Sequence, residues 1–99
     1  MTDNRSPETD ALFEAVLSLR NEAECRAFID DLCTIRERLD MAQRLAVAVL
    51  LRQNKSYLEI SAETGASTVT ISRVARCLNG PEGGYRLILD RIDGETDKS

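Results

Sequence analysis

Val69, Ser72, Arg73 and Arg76 recur at the i, i+3, i+4, i+7 spacing of one helix face, while Ile71, Val74, Ala75 and Leu78 repeat it on the opposite side. One face is apolar and packs; the other is small, hydroxylic and cationic. Hydroxyls bond to base edges, the methyl groups of Thr68 and Val69 suit the methyl of thymine, and guanidinium groups hold phosphates. A helix entering the major groove of double-stranded DNA needs these groups. Ser67, Thr68, Val69 and Ser72 are therefore the candidates for base contact. Arg73, Arg76, Arg52 and Lys55 are candidates for phosphate, with Tyr57 and Thr70 adding neutral backbone contacts.

Other chemistry finds little material. The 99 residues include no histidine, which removes the commonest general base and transition-metal ligand. Asp30 and Asp31 are adjacent, and successive helix positions do not face each other. Tyr57 and Lys55 lack a nucleophile with an orienting third group. No catalytic residue, metal site or cofactor is expected. The 3 cysteines, Cys25, Cys33 and Cys77, are widely spaced on or beside apolar helix positions and read as buried free thiols.

The formal net charge of −4 opposes binding to phosphates until its distribution is considered. Residues 1 to 43 hold ten acids and five bases, residues 44 to 79 five bases and two acids, and residues 80 to 99 three bases and five acids. The cationic surface is local, and only the field at the docking face acts on the phosphates it meets. No apolar run approaches the roughly 18 residues of a membrane span, and the polar, acidic start is unlike a secretory signal. One cytoplasmic domain over residues 1–99, with no membrane partner, is expected.

The elements that must position the reading face are all helical. Ser6-Pro7-Glu8 supplies a hydroxyl cap, a first-turn proline and an acid near the positive helix end. Leu12, Phe13, Val16 and Leu17 form one stripe; Cys25, Phe28, Ile29 and Leu32 form another behind Asn21 and Glu24, and the two helices are expected to pack as a hairpin. Thr34 with Glu37 opens the longest helix. Its segment Leu45 to Leu51, LAVAVLL, is apolar at every position, and suits either a helix wrapped by its own chain or one also covered by a second subunit. Ser56 with Glu59 begins the next helix, Gly65 allows a tight turn, and Ser67 caps the reading helix. Asn79 to Gly84 stops it, and Tyr85, Ile88, Leu89 and Ile92 share a face of a last helix. The expected helices lie near 7–20, 22–32, 34–52, 56–63, 67–78 and 85–92. No segment alternates as a strand would. Residues 7–52 are assigned to dimerisation, 56–78 to a helix-turn-helix, 85–92 to a C-terminal helix and 93–99 to a flexible tail.

Ile60, Gly65, Ile71 and Val74 meet the demands of a helix-turn-helix, with small Ser61 where the two helices approach closely; a plain helical hairpin meets the same loose rules. The wider arrangement resembles the Trp repressor superfamily, and within it the small YerC/YecD-type members, from about Leu12 to Ile92. DDLCTIRE (30 to 37), MAQR (41 to 44), YLEISAETGASTVTISRV (57 to 74) and RCLNGPEGGYRLILDRI (76 to 92) carry the likeness. It implies an all-α, six-helix homodimer with intertwined N-terminal helices and DNA contacts from the helix-turn-helix.

The superfamily's best-known member holds tryptophan between two arginines with help from a threonine. Thr34, Arg44 and Arg73 fall at the matching positions, with a one-residue shift in the loop before Ser56. The glycine that follows the second arginine is Val74 here, at a core position, so a small-molecule corepressor is not expected. The leading reading is a sequence-specific, dimeric DNA-binding transcriptional regulator. A DNA-binding accessory to replication or transposition keeps the motif with another task, and a helical protein-interaction module is the alternative from a different class.

Overall fold

The computed structural model describes residues 6–97, with side chains through residue 93. Within them are six helices and no strand: α1 (Pro7–Leu17), α2 (Glu22–Leu32), α3 (Ile35–Arg52), α4 (Tyr57–Thr64), α5 (Thr68–Leu78) and α6 (Gly84–Asp97). No helix among these residues is long and apolar enough to cross a membrane. The chain divides into two compact units, Met1–Arg38 and Leu39–Ser99, where one domain was expected.

In the first unit the helix starts follow their caps. The Ser6 hydroxyl accepts the Thr9 N–H at 3.0 Å ahead of Pro7. Asn21 Oδ1 accepts the Glu24 N–H at 2.9 Å, but the Glu24 carboxylate returns to the Arg20 N–H, one residue earlier than in a capping box. Thr34 and Glu37 form the full reciprocal pair, at 2.8 and 3.0 Å. Each arrangement satisfies amide groups that helix geometry leaves without partners. α1 ends at Leu17 rather than near residue 20, because the Ser18 hydroxyl donates back to the Ala15 carbonyl at 2.7 Å and closes the last turn.

The expected α1–α2 hairpin does not form a core. No described residue of this unit is buried, and the α1 stripe stays open, with Phe13 59% and Leu17 84% exposed. An 11-residue helix offers one narrow stripe, too little to enclose another of equal length. The cysteines also depart from expectation. All three are free, but Cys25 and Cys77 are exposed and Cys33 is half-buried.

The second unit holds the core: Val47 and Ala48 of α3, Ile60 of α4, Ala66 in the turn, Ile71 and Val74 of α5, and Leu89 of α6. Val49, Leu50, Leu51, Leu78 and Tyr85 pack partly against it. Only part of the apolar segment of α3 is thus enclosed, and Leu45 remains exposed. α3 stops where Asn54 takes a left-handed conformation (φ 63°) and the Lys55 N–H returns to the Leu50 carbonyl at 3.1 Å. α6 begins at Gly84 and runs to Asp97, so the expected flexible tail from residue 93 is corrected for residues 93–97; Lys98 and Ser99 lie outside the described residues. Neither polar composition nor Gly94 ended this helix, and no proline interrupts residues 85–97.

Candidate nucleic-acid interface

α4 is fixed at both ends. Ser56 and Glu59 form a reciprocal capping box, with the Ser56 N–H donating to the Glu59 carboxylate at 3.0 Å and the Glu59 N–H to the Ser56 hydroxyl at 3.1 Å. Bonds from the Ser56 backbone, then its side chain, favour the charged carboxylate and hold the Glu59 pKa below its ordinary value. At the other end Gly65 adopts φ 75° and closes the helix by donating to the Ser61 carbonyl at 2.9 Å. The Thr64 carbonyl accepts from Gln43 Nε2 at 3.1 Å, so α3 supports the turn directly.

That turn delivers α5 with its two faces resolved. Ser67 caps it by accepting the Thr70 N–H at 3.2 Å. Ile71 and Val74 are 0% and 1% exposed and meet Ile60 in the core, with Ala75 and Leu78 half-buried beside them. Ser67, Thr68, Val69, Ser72, Arg73 and Arg76 are exposed. Thr70 is half-buried, its hydroxyl 3.2 Å from that of Ser67. Lys55 and Tyr57 are exposed at the start of α4.

The structure brings most predicted residues to one helix and its approach, but it changes Arg52. That side chain pairs with Asp90 of α6 and donates to the Arg86 carbonyl at 3.4 Å. The bond to Asp90 raises the Arg52 pKa. Its charge is therefore shared with a carboxylate rather than free for phosphate. α6 is tied in further by Arg86, which donates to the Leu78 carbonyl at the end of α5 at 2.5 Å.

Thr34 spends its hydroxyl on the N–H of Glu37. Arg44 and Arg73 are exposed, and the residue after Arg73 is the buried Val74. An open apolar groove of about 640 Å³ lies between α5 and α6, lined by residues including Leu45, Arg76, Cys77, Tyr85 and Ile88. Thr34, Arg44 and Arg73 do not line it.

Two supporting residues were missed from sequence. Gln43 lies one turn before Val47 on the same helix side, and that spacing pointed it at the core edge. Ala66 is buried in the turn, where a methyl group gives no periodic signal.

Two short helices locked across a glycine turn, the second with a buried side and a free cationic side, constitute a helix-turn-helix. The chain belongs to the Trp repressor protein family, whose profile matches residues 7–93. It is 52% identical over 96 residues to YerC of Bacillus subtilis (strain 168), a protein itself described as uncharacterized, spanning 96% of this chain and 92% of that one. A solved structure described as a candidate Trp repressor from Staphylococcus aureus is similar at 47% identity and a TM-score of 0.84, over 90% of this chain and 89% of that one. A TrpR-like protein from Eubacterium eligens is similar at 44% identity and the same TM-score of 0.84, over 90% and 92%. The family is one of helix-turn-helix DNA-binding regulators and not of enzymes.

Proposed function

We propose that the protein is a sequence-specific transcriptional regulator of the Trp repressor type, acting in the cytoplasm as a homodimer on double-stranded DNA and without tryptophan as corepressor. The observation that carries this reading is the α5 surface. Thr68, Val69, Ser72, Arg73 and Arg76 are exposed together on a helix whose opposite side is locked by Ile71 and Val74. Thr68, Val69 and Ser72 offer base contacts, and Arg73, Arg76 and Lys55 offer phosphate contacts. Tyr57 adds a neutral contact. Arg52 contributes less, since Asp90 competes for it.

The open apolar side chains favour a second copy. Leu12, Phe13, Val16 and Leu17 on α1, Leu32 on α2, Ile35 and Leu39 on α3, and Leu87, Ile88 and Ile92 on α6 are all exposed. A soluble chain rarely leaves so many large apolar groups to water. A dimer would also match the two-fold symmetry of a palindromic site. Corepressor independence is supported by Val74, which fills core volume where a flat aromatic ligand would need space.

Selection of bound duplexes from a random pool tests DNA binding and reads the site together. Recovery of one enriched, two-fold symmetric sequence is expected. Failure to enrich any sequence over the starting pool would overturn the reading. Mapping the recovered site across the genome then distinguishes promoters, as expected here, from origins or mobile-element ends.

A further inference from the structure

The outward side of α5 carries a restricted set of reading groups. Ser67 and Thr70 are already engaged with each other, since the Ser67 hydroxyl both caps the Thr70 N–H and meets its hydroxyl. Between Thr68 and Leu78 there is no Asn, Gln, Asp or Glu. The helix therefore lacks the amides that pair with adenine and the carboxylates that accept from cytosine. Its first turn instead presents Val69, 76% exposed, while Ile71 and Val74 of the same helix are enclosed.

Val69 shares its face with Ser72, Arg73 and Arg76 at i+3, i+4 and i+7. Neither arginine makes an ion pair or hydrogen bond among the described residues. An apolar branched group next to free cations complements an apolar group set between anions. In the major groove that group is the C5 methyl of thymine, flanked by backbone phosphates. The side chain of valine is stiff at its first torsion, so little freedom is lost when it docks. We propose that Val69 is a specificity-determining residue of α5 and that it recognises a thymine methyl group. This rests on the DNA-binding reading above and adds the commitment of Val69 to one thymine methyl group in each half-site.

The test replaces each thymine of the selected duplex in turn by deoxyuridine, which removes the methyl group and keeps the hydrogen-bonding edge. Affinity is measured for the native chain and for Val69→Ala, with circular dichroism as the folding control. The native chain should lose about fourfold at one thymine and its symmetry mate, equivalent to roughly 0.8 kcal/mol for one buried methyl-sized group. Val69→Ala loses the contact in both subunits, so it should bind the natural duplex about fifteenfold more weakly, twice roughly 0.8 kcal/mol, and be indifferent to that replacement. Val69→Thr, which keeps one methyl, should retain part of the dependence. If no replacement affects the native chain, or Val69→Ala shows the same loss at the same thymine, the proposal is overturned while DNA binding stands. If no duplex is enriched at all, the DNA-binding reading fails and takes this one with it.

Discussion

Arg76 and Thr68 lie on the same exposed side of α5 but carry different information. A phosphate is the same at every base pair, so Arg76→Ala should weaken binding to the selected site and to random duplex by the same factor. Thr68→Ala should instead relax preference at one base pair, by about 1 kcal/mol if the contact is well made. Competition binding against single-position variants of the site separates the two, and equal loss on every sequence for both would contradict this division. The two faces were legible because a 3.6-residue period divides α5 so cleanly: every residue assigned to its buried side is buried or half-buried, and the polar side is exposed. Arg52 was not legible. Its partner Asp90 is 38 residues away, and only the packing of α6 on the core brings the two together. The thiols of Cys25 and Cys77 were placed inside because they fall on or beside apolar helix positions, and that spacing does not distinguish a core position from its edge.

Helix starts announce themselves chemically and helix ends less so. Ser6, Asn21, Thr34, Ser56 and Ser67 each accept the expected backbone N–H, and the helices begin one residue later. The ends of α1 and α6 differ from expectation by three and five residues, because a serine side chain closes one and the other continues through Gly94 with no proline to break it. Gly65 is the element boundary on which the interface depends most. A Cβ there would meet only Gln43 Nε2 at 3.9 Å, so the cost of Gly65→Ala comes from the left-handed backbone and not from a clash. Urea denaturation should show a loss of about 1 to 2 kcal/mol with unchanged m value. A neutral or stabilising result would mean that the turn relaxes to negative φ, and the angle between α4 and α5 would no longer be held as described.

At the scale of the molecule, the proposed dimer rests on the exposed apolar side chains of α1, whereas the sequence pointed to a second subunit through the continuous run of Leu45 to Leu51. Periodicity identifies which side chains seek cover, but not whether the cover comes from the same chain. Phe13→Asp places a charge on the α1 stripe, outside the core of the helix-turn-helix unit. Sedimentation should show the native chain as a dimer at micromolar concentration and the variant as a monomer or weakened dimer; a stable, folded native monomer would contradict the proposed assembly. The buried position of Val74 makes a second prediction at this scale. Tryptophan should neither bind saturably by calorimetry nor change DNA affinity, whereas a rise of more than about tenfold, roughly 1.4 kcal/mol of coupling, would require Val74 to move aside. The central claim is that the free guanidinium groups of α5 hold DNA phosphates, and the salt dependence of affinity tests it most directly. For the native chain, log K should fall linearly with log salt concentration, and Arg76→Ala should reduce the slope by about 1.8, since each lost phosphate contact is worth about 0.9 and a dimer loses two. Binding that is insensitive to salt, or a slope that Arg76→Ala leaves unchanged, would contradict that claim.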